Sequence, residues 1–437
     1  MTLTSRLLCL SFAFLAAVTA QADSAPTGEA QSLKQLPLQE LRTFTDIFER
    51  IRSSYVEEVD DKTLFEYAIN GMLSSLDPHS AYLKGEDFAD LQENTTGKFG
   101  GLGLEVSAED GFILVVSPID DTPAQKAGIQ AGDLIVSING ESLVGQSLND
   151  AVEKMRGAVG SSIKLDIRRK NEKELLSFTL VRAEIKVASV RTEMLENRIG
   201  YVRITQFQEN TGADLADAIE NWKSKGPLNG LVLDLRNNPG GVLDAAVAVV
   251  DNFIDNGLIV YTEGRTPESR VSYSATAHTP AADIPTVLLI NGGSASASEI
   301  VAGALQDHQR AIVVGTQSFG KGSVQSVLPL SEDSAVKFTT ARYFTPNGRS
   351  IQAQGIKPDI WVEQSEVTPF EQKSLTEANL PGHLSNPTDK KSESKKAASV
   401  EDKLKARTNE LLKKDFQLYE AFTLLRGLQI LSPKKEG

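Results

Sequence analysis

A serine acts as a nucleophile only where backbone amides can receive the oxyanion and a nearby base can take its proton. The segment Asn291-Gly292-Gly293-Ser294-Ala295-Ser296-Ala297-Ser298-Glu299 leaves an apolar strand pattern and enters a helical one. Its small residues let a substrate backbone come close, and a helix N-terminus there offers free N–H groups. Pattern alone leaves Ser294, Ser296 and Ser298 all open as nucleophiles. It equally allows Ser298 and Glu299 to be cap and first-turn residues of a purely structural turn.

The base is the next question. None of the four histidines, His79, His278, His308 and His383, sits beside a strand end with an obvious acidic partner, so a Ser-His-Asp site has weak support. Lysine remains. Its ordinary pKa is about 10.4, so it serves as a base at neutral pH only where dry, charge-poor surroundings pull that value down. Lys321 lies in Ser318-Phe319-Gly320-Lys321-Gly322-Ser323-Val324-Gln325, with no acidic residue between Asp307 and Glu332. The same stretch, from Gly315, nearly spells a phosphate-binding loop. Gly322 stands where the Mg²⁺-binding Ser or Thr is required, and residues 323–329 are strand-like rather than helical, so that reading fails.

Most of the chain must position these groups. Its 437 residues suggest two to four domains, and a net charge of −13 argues against a nucleic-acid groove. Arg6, the apolar run Leu7 to Val18 and Ala20-Gln21-Ala22 read as a signal peptide over residues 1–22, with a buried N-terminal helix as the competing reading. The only cysteine, Cys9, lies inside it, so the mature chain is expected to have no disulfide, no thiolate metal site and no Cys nucleophile. No metal or cofactor is expected. A cysteine-free exported chain fits a bacterial periplasm.

Residues 34–96 open with helical spacing: Leu41, Phe44, Ile47, Phe48 and Ile51, then Leu64 to Leu76, an amphipathic pair suited to dimerising. Over 97–184, short β-branched runs alternate with Gly, Asp and Asn turns, and two helical patterns interrupt them near Pro123–Ala127 and Ser147–Arg156. Residues 185–365 alternate strands with helices, which predicts an α/β layer with buried central strands. Residues 366–400 are polar, as in a linker. The 401–437 segment recovers a helical pattern and is expected to serve association.

Three motifs then carry a resemblance across residues 35–365: Leu233-Asp234-Leu235-Arg236-Asn237-Asn238-Pro239-Gly240-Gly241, Ser294 to Glu299, and Phe319 to Gln325. Together they resemble the C-terminal processing peptidase, or tail-specific protease, family. The resemblance implies a multidomain α+β chain with a crotonase-like α/β protease core, a PDZ domain at 97–184 and helical end segments. It implies Ser296 as nucleophile, Lys321 as general base, Gln325 as the residue orienting the lysine, and the backbone amides of Gly241 and Ala297 as oxyanion donors. Gly101-Leu102-Gly103-Leu104 falls where a PDZ domain carries its carboxylate-binding loop, for protein substrates held by the C-terminal tail. A homo-oligomer through the terminal helices and a lipoprotein adaptor are the implied partners. A PDZ scaffold that binds tails without cutting them is the alternative.

Overall fold

The computed structural model describes residues 37–365 apart from 110, 120, 144 and 171, then 377, 380–384 and 400–431. The expected signal peptide, Cys9 with it, and most of the expected linker lie outside the described residues. The chain divides into two units between Ala68 and Ile69. In the first, helix α1 (Leu38–Ser54) is followed by α2 (Asp61–Ser74), most of which belongs there, and Phe48 stacks on Phe65 with ring centres 4.6 Å apart. The apolar residues of α1 that the spacing singled out, Leu41, Phe44, Ile47 and Ile51, are exposed.

In the second unit, the end of α2 is followed by a short strand, Ala81–Lys84, and α3 (Glu86–Thr96), whose Phe88 packs on Leu83 and Ala335. An antiparallel sheet follows, with Leu104–Glu109, Phe112–Pro118, Leu134–Ile138, Ser162–Arg168 and Leu176–Val181 adjacent in that order. Asn139 and Gly140 join Leu134–Ile138 to Glu141–Ser142 with φ of +49° and +85°, the conformation that a tight two-residue hairpin requires. Helix α4 (Leu148–Met155) starts at Ser147, whose Oγ accepts the Asp150 N–H at 3.1 Å. It buries Ala151 and Met155 against Ile113, Val115, Ile135, Leu165 and Ile167.

The core is a six-stranded sheet: β1 (Val190–Leu195), β2 (Ile199–Ile204), β3 (Gly230–Asp234), β4 (Thr286–Ile290), β5 (Ala311–Gly315) and β6 (Ile360–Trp361). The first pair is antiparallel and the rest parallel. Every residue of β3 and β4 is buried, as strands covered on both faces must be. The alternation of side chains sorts the two faces. Leu231, Leu233, Leu288 and Ile290 pack under helices α5 (Thr211–Ser224), α6 (Leu243–Asp251) and α7 (Ala297–Asp307). Val232, Val287, Leu289 and Val314 face the other way.

The C-terminal segment packs on that second face. It is two helices, α8 (Val400–Lys414) and α9 (Phe416–Leu431), parted at Asp415. Leu418, Ala421, Phe422 and Leu425 cover Val232, Val287 and Leu289, so the apolar face of α9 is spent on this chain's own sheet. A bare parallel sheet would need such a cover, and the helix pattern alone does not say whose surface it meets. A separate antiparallel sheet contains Ser323–Ser331, the strand that leads away from Lys321, paired with Ser334–Phe344.

Candidate active site

Past Asp234 the chain turns through Arg236-Asn237-Asn238-Pro239-Gly240-Gly241 below the start of α7. Gly240 and Gly241 have φ of +105° and +141°. A Cβ on Gly240 would lie 2.8 Å from that of Ser296, and one on Gly241 would lie 2.1 Å from the Phe207 carbonyl oxygen, so neither position tolerates a side chain. Asn238 is fully buried and locks the turn. Its Nδ2 donates to the Ile204 carbonyl at 2.9 Å, and its Oδ1 accepts the Gly240 N–H at 2.9 Å.

The three serines separate. Ser294 and Ser298 are fully buried, and backbone carbonyls take both hydroxyls: Leu235 at 2.8 Å and Asn238 at 2.9 Å. Only Ser296 reaches the cleft, a cavity of about 460 Å³ that Lys321, Gln325, Gly241 and Ala297 also line. Its φ of +55° and ψ of −114° form a strained junction between loop and helix. The shape resembles the sharp strand-to-helix turn that exposes the nucleophilic serine of α/β-hydrolases. Among the described residues, the N–H groups of Gly241 and Ala297 have no acceptor.

Lys321 shares the cleft with Ser296, and among the described residues no hydrogen bond joins the two side chains. Such bonds are often long without substrate. Burial first, and then the charge of Lys337, hold Lys321 below the ordinary lysine value, against the opposing pull of Asp77 and Glu299. Among the described residues no hydrogen bond joins the Gln325 and Lys321 side chains. Gln325 Nε2 donates to Ser323 at 3.0 Å and Thr339 at 3.2 Å, leaving its Oε1 as the side that could accept an ammonium. None of the histidines lines this cleft.

Sequence reasoning passed over three neighbours. Glu299, read only as first-turn chemistry, is fully buried and receives Ser318 Oγ and the Gly320 N–H, each at 2.6 Å. The Ser-x-x-Glu spacing of a capping box was the available signal. Tyr343 is buried and its hydroxyl donates to the Lys321 carbonyl. Burial and Glu299 push the Tyr343 pKa up, while a hydrogen bond with Ser296 opposes them. Lys337 also lines the cleft, 16 positions beyond Lys321 in the chain, and no local pattern announces it.

The second expected site is a groove between Leu104–Glu109 and α4. Leu104–Glu109 is an edge strand, and a cavity of about 80 Å³ beside it is lined by Gly101, Leu102, Gly103, Leu104, Val106, Val152 and Met155. Among the described residues the N–H groups of Leu102 and Gly103 have no acceptor. Arg156, also missed from sequence, closes the end of the groove. It lies over the Phe99 ring at 5.1 Å and pairs with Glu93 of α3 at 2.9 Å.

The chain matches the profile of peptidase family S41 over residues 198–362, a PDZ-domain profile over 114–169 and the profile of the activating protease CtpB N-terminal domain over 9–87. A carboxy-terminal-processing protease of Bartonella bacilliformis is 49% identical over 399 residues, 90% of each chain. The carboxy-terminal processing protease CtpB of Bacillus subtilis is 41% identical over 325 residues, 73% of this chain and 67% of that one. Among solved structures, the photosystem II D1 C-terminal processing protease aligns at 32% identity and a TM-score of 0.44, over 74% of this chain and 87% of that one. Identity at this level along nearly the whole length, with both profiles in order, makes the chain a member of peptidase family S41, the PDZ-bearing carboxy-terminal processing serine proteases.

Proposed function

We propose that this protein is a serine endopeptidase that takes substrates by the C-terminal tail and cuts them with a Ser296–Lys321 dyad. One observation carries the reading. Ser296, a lysine held below its ordinary pKa, and two amides without acceptors all open on a single cleft.

The chemistry runs from these groups. Neutral Lys321 takes the proton of Ser296 Oγ as the oxygen attacks the scissile carbonyl. The N–H groups of Gly241 and Ala297 receive the charge that develops on the carbonyl oxygen, an effect worth about 10²–10³ in rate per donor. Lys321 then returns the proton to the leaving amine, and a water activated by the same lysine hydrolyses the acyl-enzyme. Gln325 Oε1 accepts from the Lys321 ammonium once a substrate draws the two together.

A tail adds as a strand to the free edge of Leu104–Glu109. Its terminal carboxylate meets the N–H groups of Leu102 and Gly103, and its last side chain enters the pocket at Val152 and Met155. The exposed apolar residues of α1 support association with a second copy. The N-terminal pattern supports export to a bacterial periplasm, where a lipoprotein adaptor is the expected partner.

Casein digestion by wild type and by Ser296→Ala tests the proposal. Cleavage by wild type and none by the variant is expected. Equal digestion would remove the dyad and leave the tail-binding scaffold.

A further inference from the structure

We propose that Asp415, at the break between α8 and α9, is a positioning residue for the oxyanion turn that acts through Arg236; this rests on the dyad reading above. Asp415 grips Arg236 in a two-pronged pair, Nη1 to Oδ1 at 2.8 Å and Nη2 to Oδ2 at 2.6 Å. On its other side the same guanidinium holds Asp234, Nε to Oδ1 at 3.0 Å and Nη2 to Oδ2 at 2.7 Å. Gln417 Oε1 accepts from Nη1 at 3.0 Å. A planar fork engaged on both sides has one orientation.

Arg236 is the root of the turn that ends in Gly241. Its carbonyl accepts from Arg203 at 3.1 Å, and Arg203 also pairs with Asp234 at 3.2 Å. The next residue, Asn237, has φ of +54° and exchanges two hydrogen bonds of 2.9 Å with Asn291, at the head of the serine segment. Asn238 then holds Gly240. Two guanidinium groups are therefore balanced by two carboxylates. Without Asp415, both would compete for Asp234, and the turn would lose its fixed root.

Docking of the helix does not require this carboxylate. Leu418, Ala421, Phe422 and Leu425 already hold α9 to the sheet, and a buried ion pair adds little stability over apolar packing. Asp415 also caps α9, with Oδ1 accepting the Leu418 N–H at 3.0 Å. Asparagine caps equally well, so Asp415→Asn removes the charge and keeps the cap.

The test compares wild type, Asp415→Asn, Asp415→Glu and Ser296→Ala on casein, with a peptide boronate as an oxyanion-dependent inhibitor. Asp415→Asn is expected to lower kcat about 10- to 100-fold with KM changed less than about twofold, and to weaken the boronate by the same factor. Asp415→Glu restores most of the loss. Wild-type kcat in folded Asp415→Asn would overturn the proposal. So would equal losses in both variants that follow their melting temperatures, or failure of both to fold, since the clamp would then be a stability element. An active Ser296→Ala sinks the dyad reading and this proposal with it. An inactive Ser296→Ala beside a fully active Asp415→Asn sinks this proposal alone.

Discussion

Lys321 gives its main-chain N–H to Glu299 at 2.9 Å, and the same carboxylate oxygen receives the N–H of Ser296 at 2.8 Å. The loop of the candidate base and the turn of the candidate nucleophile therefore meet on one buried side chain. Glu299→Gln places an NH₂ group where one of two oxygens must accept two donors. The variant is expected to lose about 2–3 kcal/mol in denaturant unfolding, the cost of buried donors left without an acceptor. Activity should fall by at least about 10²-fold, because the two loops lose their common register. Wild-type stability and turnover would show that the carboxylate is dispensable.

Lys337 is the charged neighbour that helps hold Lys321 low. The neutral lysine is the working form, so kcat/KM rises with pH through the Lys321 pKa. Lys337→Ala removes a repelling charge, lets that pKa climb, and moves the rising limb to higher pH. Lys337→Arg keeps the charge and should leave the limb near its wild-type position. A limb that stays in place or moves to acid in Lys337→Ala contradicts the assignment.

Gly241 has both a left-handed φ and a carbonyl 2.1 Å from where a Cβ would sit. Gly241→Ala must push the turn off Phe207, carrying the free N–H with it. Turnover per folded enzyme should drop about 10²–10³-fold. An unchanged kcat would place the oxyanion elsewhere.

Val152 lines the groove opposite Leu104 and Val106. Val152→Glu puts a carboxylate where the tail's own carboxylate and last side chain approach. Fluorescence anisotropy of a labelled tail peptide should show binding lost, while cleavage of a short peptide ester that bypasses the groove persists. Retained tail binding would remove the groove from the account.

Much of the framework was legible because strands and helices of the core alternate with clean periodicity. Leu231, Val232 and Leu233 put apolar side chains on both faces, and the structure covers both. The split among Ser294, Ser296 and Ser298 was not legible. It depends on which hydroxyls find the carbonyls of Leu235 and Asn238, residues about 60 positions away. Glu299 looked like an ordinary first-turn carboxylate because its Ser318, Gly320 and Lys321 donors arrive from a separate loop. The C-terminal stripe shows a related limit: it records that a partner surface exists without naming it, and Leu418, Ala421, Phe422 and Leu425 meet the sheet of the same chain.

The central claim is tested most directly by fluorophosphonate labelling read by intact mass and peptide mapping. The expected result is one adduct per chain, on Ser296, forming faster as pH rises and lost in Lys321→Ala. An adduct on another residue, or labelling of Lys321→Ala at the wild-type rate, would contradict the claim that a neutral amine at position 321 activates that hydroxyl.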